Sequence, residues 1–108
     1  MRIFVTGASG WIGSAVVPEL ISAGHQVLGL ARSDASAKTV ADMGADLLRG
    51  DLNDTAVLRV GALDSDGVIH LAFEPGRTRF EEAAQADAKA IETFATSLVG
   101  SGKPMVVR

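Results

Sequence analysis

The chain contains no cysteine, which excludes disulfides and metal sites built on thiolates. Lys and Arg number 10 against 13 Asp and Glu, a net charge of -3, and the absence of a basic cluster gives no reason to expect a nucleic-acid partner. The apolar runs are too short to span a membrane, and the run after Arg2 is too short for a signal peptide. We therefore expect a cytoplasmic protein with no nucleic-acid or membrane partner.

What is present is the composition of an ordinary globular domain, with 47% apolar and 21% charged residues. A length of 108 residues suits one small domain with one core. No repeat, linker or low-complexity segment divides the sequence, so we expect a single domain.

Three of the 12 glycines follow the first apolar run at three-residue spacing, at Gly7, Gly10 and Gly13. Residues 3–5 predict a buried strand before them. Gly7 permits a tight turn, Gly10 places no side chain between backbone and ligand, and Gly13 allows a helix to pack closely on the strand. Apolar residues of helical spacing come next, with one stripe at Ile12, Val16 and Leu20 and with Val17 and Ile21 beside it.

A strand, a glycine turn and a helix form a place where backbone N–H groups can approach a pyrophosphate, assisted by the helix dipole. This order of elements favours nucleotide binding over a glycine turn that only connects strand and helix. We expect Trp11 and Ile12 to supply N–H groups. A Walker-type phosphate loop is disfavoured, because Ser14 and Ala15 follow Gly13 where that motif needs Lys and then Ser or Thr.

The rest of the chain alternates predicted strands and helices. Gly24 is expected to end the first helix, and Pro18 is expected to bend that helix near Ser14. Asp34 is expected to cap the second helix. In order, the sequence predicts strand 3–5, helix 10–23, strand 26–31, helix 35–43, strand 45–49, a helix from 53 or 54 to 61, strand 67–72, helix 78–99 and a strand from 103.

This alternation predicts right-handed βαβ units and a parallel sheet. The expected fold is therefore an α/β, Rossmann-type three-layer sandwich with strand order 3-2-1-4-5. The fifth strand is the last predicted element, and a sheet edge with nothing after it leaves unpaired backbone. We expect residues 1–108 to be the incomplete first part of a larger protein, with a substrate-binding portion to follow.

The residues after the second strand indicate which dinucleotide a Rossmann site selects. An NAD-selective site carries Asp or Glu there to accept hydrogen bonds from the ribose hydroxyls, whereas this chain has Arg32 and Ser33. A guanidinium can hold a 2′-phosphate through paired hydrogen bonds, and a Ser hydroxyl can add another. The sequence therefore predicts a preference for NADP(H). The alternatives are NAD(H) as cofactor and Arg32 as an ordinary solvated residue.

Residues 6–13, TGASGWIG, resemble the TGxxGxxG motif of the short-chain dehydrogenase/reductase superfamily. The chain looks closest to the extended and atypical branches, which include nucleotide-sugar epimerases and dehydratases. Residues 50–54, GDLND, are similar to the family's DxxD element, and residues 66–72, DGVIHLA, are similar to its strand-four motif. The resemblance covers essentially the whole chain in the right order, and it implies an NAD(P)-binding domain.

The resemblance also implies a cofactor role for each motif. Asp51 and Leu52 correspond to the element at the adenine, where the family's Asp contacts the amino group, while a plain turn or cap is the alternative for Asp51. The backbone of Leu71 and Ala72 is implied along the ribose, and Phe73 either lines the nicotinamide side or packs under a loop. The glycine motif contributes Gly7, Ser9, Gly10, Trp11, Ile12 and Gly13.

The chain departs from the family pattern at two places. Asp87 falls where many extended members carry Asn, and the family's catalytic Tyr and Lys, spaced YxxxK, lie after strand five, whereas this chain has no Tyr. We therefore assign no catalytic residue and expect these 108 residues alone to be inactive. His70 lies in an apolar run and is expected to be a hydrogen-bonded core residue.

The sequence thus predicts the cofactor-binding part of an NADP(H)-dependent oxidoreductase or epimerase/dehydratase that acts on an unidentified carbonyl or alcohol substrate. Two alternatives stay open. One is a non-enzymatic module that senses dinucleotides through a partner interface. The other is a free-standing domain that completes its sheet by dimerising along strand five, and thus forms a homo-oligomer.

Overall fold

Five strands and four helices alternate in a computed structural model of the protein, which describes residues 1–72 and 80–107. In chain order they are β1 (Arg2–Thr6), α1 (Trp11–Ser22), β2 (Gln26–Ala31), α2 (Asp34–Asp42), β3 (Asp46–Arg49), α3 (Thr55–Leu63), β4 (Gly67–His70), α4 (Phe80–Leu98) and β5 (Met105–Val107). All neighbouring strands pair in parallel, and the sheet order is β3-β2-β1-β4-β5. This confirms the predicted fold class and strand order.

The central strand β1 is apolar on both faces, and this divides the core into two halves. Phe4 packs on one face with residues of α3 and α4, and its ring meets that of Phe94 edge to face at 5.9 Å between centroids. Ile3 and Val5 pack on the other face with residues of α1 and α2, among them Val17 and Val40. The sheet is therefore covered by helices on both sides, as the three-layer architecture requires.

The face of α1 that packs on the sheet is shifted from the apolar stripe predicted from the sequence. Its buried residues are Gly13 and Val17, whereas Ile12 is 53% exposed. A Cβ added to Gly13 would lie 2.0 Å from the carbonyl oxygen of Gly7, so the glycine face makes the closest approach and sets the rotation of the helix. The predicted stripe is therefore wrong at Ile12, while Val17, Leu20 and Ile21 of the predicted set do pack on the core. The helix continues through Pro18, and the bend expected there stays a prediction.

Side-chain caps fix where α2 and α3 begin. Ser33 caps α2 by accepting the Ser36 N–H at 3.1 Å, so Asp34 lies in the first turn and its predicted cap role is wrong. Asp54 caps α3 by accepting the Val57 N–H at 3.3 Å, and that helix runs two residues past the predicted end at 61.

Strand β4 ends at His70 because its neighbour β1 ends at Thr6, with which His70 is paired. The prediction that this strand reaches residue 72 is therefore wrong. The predicted start of the last helix at residue 78 lies outside the described residues. Within the described part of the chain, no helix is both long and apolar enough to cross a bilayer.

Candidate functional site

A cleft of about 750 Å³ opens at the carboxyl ends of the strands. Its volume lies within the range typical of ligand pockets, roughly 300–1,000 Å³. The strand order reverses between β1 and β4, and ligands of open parallel sheets bind outside the carboxyl ends at such a reversal. The walls come from the segments after β1, β2, β3 and β4 and from α2 and α4, through Gly7, Ser9, Leu30, Arg32, Ser33, Ala35, Ser36, Thr39, Gly50, Asp51, Leu52, Asn53, Ala72, Glu82, Ala83 and Ala86.

The turn after β1 depends on glycine at its first position. Gly7 has φ +71°, and its carbonyl accepts the Gly10 N–H at 3.0 Å. A Cβ on Gly7 would also lie 2.8 Å from the backbone nitrogen of Ala72. The turn after β1 and the segment after β4 are thus in direct backbone contact at the edge of the cleft.

Helix α1 begins beside this turn. Ser14 N–H bonds to the Gly10 carbonyl at 2.8 Å, no side chain among the described residues caps the helix, and its first turn holds no acidic residue. The N–H groups of Trp11 and Ile12 therefore have no helical acceptor. Trp11 is 93% exposed and, with Ser9, Gly10, Ser14 and Ala15, lines a second, open hollow. This helix start can accept an anion.

The ends of β2 and β3 bring two arginines close together beside the cleft. Arg32 is exposed and lines the cleft. Arg49, at the end of β3, contacts the carboxylate of Asp34 at 3.0 Å and the carbonyl oxygen of Arg32 at 3.5 Å. Asp34, the first carboxylate after Arg32, is thus paired with the guanidinium of Arg49. Ser33 also lines the cleft, but its hydroxyl already serves the α2 cap.

The segment after β3 is held by Asp51. Its Oδ1 accepts the backbone N–H of Asn53 at 2.9 Å and the side-chain amide of Asn53 at 3.1 Å. This is an Asx turn, so the turn role considered for Asp51 is confirmed. Contact with an adenine stays a prediction. Leu52 lines the cleft and packs against the core on the Phe4 face.

The end of β4 is fastened to β1 and α4 by buried polar groups. His70 is fully buried, with Nδ1 2.6 Å from Thr6 Oγ1 and Nε2 2.7 Å from Asp87 Oδ1. Its ring also meets Phe94 at 5.5 Å between centroids. The expectation of a hydrogen-bonded core histidine is confirmed.

The structure gathers most of the predicted cofactor residues at one edge of the sheet. Gly10 and Trp11 line the adjoining hollow. Ile12, Gly13 and Leu71 line neither space, although Gly13 supports the turn from beneath. Phe73 lies outside the described residues. The predicted residues that line the main cleft are Gly7, Ser9, Arg32, Ser33, Asp51, Leu52 and Ala72.

Several cleft residues were not predicted from the sequence. Ser36 and Thr39 lie in the first and second turns of α2 and form part of the wall. The Ser-x-x-Ser spacing from Ser33 was a capping signal that pointed there. Ala83 and Ala86 face the cleft from α4, where their three-residue spacing puts two small side chains on one helix face. Within residues 1–72 and 80–107, no group of three or more acidic or His side chains is placed to hold a metal ion.

Known proteins are similar to this chain in sequence. An uncharacterised protein of Saccharomyces cerevisiae is 51% identical over 108 residues, which cover 98% of this chain and 36% of that protein. A sterol-4-alpha-carboxylate 3-dehydrogenase (decarboxylating) of Dictyostelium discoideum is 40% identical over 71 residues, which cover 66% of this chain and 22% of the enzyme. This chain therefore spans little more than a third, or less, of the length of these relatives.

Solved structures share the fold. A UDP-glucose-4-epimerase from Stenotrophomonas maltophila, solved with bound NAD, superposes with a TM-score of 0.74 at 19% identity, over 99% of this chain and 36% of the epimerase. The model of the NAD dependent epimerase/dehydratase family matches residues 3–100. The resemblance drawn from the motifs is confirmed, and the chain belongs to the NAD dependent epimerase/dehydratase family.

Proposed function

We propose that this chain is the dinucleotide-binding part of an oxidoreductase or epimerase/dehydratase, and that it prefers NADP(H). The observation that carries the proposal is the uncapped start of α1, which lies behind the glycine turn at the edge of the cleft. Backbone N–H groups without a helical acceptor, and a helix dipole that no acidic side chain offsets, favour a pyrophosphate there. Family membership supports a dinucleotide as the ligand.

The cleft and the adjoining hollow together offer a place for each part of such a ligand. With the pyrophosphate at Gly10 and Trp11, the adenosine half would extend toward Asp51 and Leu52 after β3. The ribose of that half would pass the end of β2, where a Rossmann site reads the 2′ position. The nicotinamide half would run along the backbone of Ala72, the residue in contact with the glycine turn.

The preference for NADP(H) is supported by the charges at the end of β2. Arg32 stands where an NAD-selective site would carry a carboxylate. The next acidic residue, Asp34, is paired with Arg49, which reduces its repulsion of a 2′-phosphate. An Arg can form two parallel hydrogen bonds to a phosphate.

The chemistry of the whole protein is part of the same proposal. A bound nicotinamide dinucleotide supplies hydride transfer, while the protein binds and orients it. A Tyr general acid or base cannot come from these residues, because the chain has no Tyr. We expect a carbonyl or alcohol substrate at the carboxyl ends of the strands, and a catalytic pair outside residues 1–108.

The test is the binding of NADPH and NADH to the wild-type protein and to Arg32→Asp, measured by titration calorimetry. We expect NADPH to bind more tightly to the wild type. Loss of a charge-assisted hydrogen bond, about 1.5–3 kcal/mol, should weaken NADPH binding by roughly 10- to 100-fold and NADH binding by less than about threefold.

Arg59→Asp is the matched control, because Arg59 is an exposed residue of α3 that does not line the cleft. It makes the same change in net charge and should leave both affinities nearly unchanged. Equal weakening of NADPH and NADH by Arg32→Asp would remove the basis for the NADP(H) preference. A wild type that binds neither dinucleotide would contradict the proposed function itself.

A further inference from the structure

A line of buried hydrogen bonds joins α4 to the wall of the cleft. Asp87 Oδ1 lies 2.7 Å from His70 Nε2, and His70 Nδ1 lies 2.6 Å from Thr6 Oγ1. Thr6 Oγ1 in turn accepts the backbone N–H groups of Leu71 and Ala72, both at 3.2 Å, and the Leu71 N–H is shared with the Thr6 carbonyl oxygen, also at 3.2 Å. Thr6 and His70 are fully buried, so water does not compete for the contact between them, while the Asp87 side chain keeps 16% of its surface exposed.

The positions of the protons follow from what each group can donate and accept. A Thr hydroxyl has one proton and two lone pairs, and two backbone N–H groups already point at Thr6 Oγ1. If His70 Nδ1 were protonated, three N–H groups would converge on the two lone pairs of Thr6 Oγ1, and none of the described residues would be placed to accept the hydroxyl proton. Thr6 therefore donates to Nδ1. The ring then carries its single proton on Nε2 and donates it to Asp87.

This assignment makes the tautomer of His70 depend on Asp87. A carboxylate accepts the Nε2 proton through a charge-assisted hydrogen bond, and the other ring nitrogen is thereby kept as an acceptor. Only in that state can the Thr6 hydroxyl donate its proton to the ring and accept both backbone N–H groups. Asp87, bonded to the other ring nitrogen of His70, thus determines the orientation of the Thr6 hydroxyl.

We propose that Asp87 is a positioning residue, which acts through the Nε2–H tautomer of His70 and the hydroxyl of Thr6 to hold the backbone of Leu71 and Ala72 at the edge of the cleft. The position of this backbone matters because Ala72 lines the cleft and its nitrogen would lie only 2.8 Å from a Cβ on Gly7. The effect on cofactor affinity rests on the proposed function, whereas the tautomer and the backbone order do not.

The experiment compares the wild type with Asp87→Asn, Asp87→Leu and Ala90→Gly. The Asn amide oxygen can still accept the Nε2 proton, while Leu is of similar size and cannot. Ala90 is a fully buried residue of the same helix, so its replacement by Gly weakens α4 without touching the hydrogen bonds. The readouts are the nitrogen NMR shifts of His70, the hydrogen exchange of the Ala72 amide and the dissociation constant for NADPH.

We expect the Nε2–H tautomer in the wild type and in Asp87→Asn. The hydrogen-exchange rates of the Ala72 amide in these two proteins should agree within about threefold. In Asp87→Leu we expect a shift toward the Nδ1–H tautomer, Ala72 exchange at least tenfold faster than in Ala90→Gly, and NADPH binding weakened by about five- to tenfold.

An Nδ1–H tautomer in the wild type would overturn the proposal, and this measurement needs no variant. Ala72 exchange that rises equally in Asp87→Leu and Ala90→Gly would also overturn it, since loss of helix stability would then explain the effect. A wild type with the expected tautomer and slow Ala72 exchange that binds no dinucleotide would contradict the proposed function alone.

Discussion

At the scale of single residues, the three glycines of the turn are required for different physical reasons. Gly7 has a positive φ, which a side chain makes costly. A side chain at Gly13 would clash, since an added Cβ would lie 2.0 Å from the Gly7 carbonyl oxygen. Gly10 has ordinary dihedral angles, and its Cβ would meet only the Gly7 oxygen at 3.3 Å. Its missing side chain therefore matters mainly for a ligand.

This difference predicts that Gly13→Ala mainly lowers the stability of the protein, whereas Gly10→Val mainly prevents dinucleotide binding. In most helices Ala in place of Gly stabilises by about 1 kcal/mol, but here the clash should cost near the upper end of the roughly 1–3 kcal/mol seen for overpacking. Gly10→Val should cost only about 1 kcal/mol, because it worsens the cap, yet it should abolish dinucleotide binding. Urea unfolding and titration calorimetry measure the two effects. A stabilised Gly13→Ala or a Gly10→Val that still binds would contradict this assignment.

The sequence revealed these glycines but not the hydrogen-bonded line behind them. Spacing along the chain predicts which residues share a face, and it correctly predicted that His70 is buried. It carries no information on contacts across 64 and 17 positions, those of His70 with Thr6 and Asp87. The resemblance marked Asp87 as unusual because other members carry Asn there. Only the fold shows that its carboxylate meets a ring nitrogen.

At the scale of elements, the first turn of α2 is both a helix cap and part of the cleft wall. The Ser33 hydroxyl accepts the Ser36 N–H at 3.1 Å, and the Ser36 hydroxyl in turn accepts the Ser33 N–H at 3.1 Å. This reciprocal capping box fixes the direction in which the chain leaves β2. It therefore helps to hold Arg32 at the mouth of the cleft.

We predict that Ser33→Ala lowers the free energy of unfolding by about 1 kcal/mol, the usual cost of losing a side-chain cap. Ser33→Asn should retain nearly all of the stability, because Asn is an equally good cap. Chemical denaturation of the two variants beside the wild type measures this. If both variants lose the same amount, the capping role assigned to Ser33 is wrong.

The order and type of the elements followed from the sequence pattern, whereas their ends did not. Apolar strands that alternate with amphipathic helices predicted the parallel sheet and its order. Ser33 and Asp34 are both favoured cap residues, and the position of Ser36 decides between them. Similarly, the rotation of α1 is set by the contact between Gly13 and Gly7, which outweighs the apolar stripe at Ile12.

At the scale of the whole molecule, the two ends of the sheet are held differently. At the amino end, Arg2 contacts Asp46 at 2.9 Å and Asp64 at 3.4 Å, and the hydrogen bond that its guanidinium donates to the Asp46 carboxylate raises the pKa of Arg2 above its usual value. The Arg2 N–H also bonds to Asp66 at 2.8 Å. These contacts tie β1 to β3 and to the segment before β4. At the carboxyl end, the turn after β1 contacts the segment after β4, and the cleft is lined by these two segments together with those after β2 and β3.

A ligand in the cleft would contact segments from both halves of the sheet, which predicts strong stabilisation by the cofactor. NADPH at about 100 times its dissociation constant should raise the free energy of unfolding by about 2.7 kcal/mol, which corresponds to roughly 10–20 °C in Tm for a domain of this size. NADH at the same concentration should give a smaller shift because it lacks the 2′-phosphate. Differential scanning calorimetry with and without each dinucleotide measures this, with Gly10→Val as the control. A rise in Tm of the same size in Gly10→Val would mean that NADPH stabilises the protein from a place other than the glycine turn.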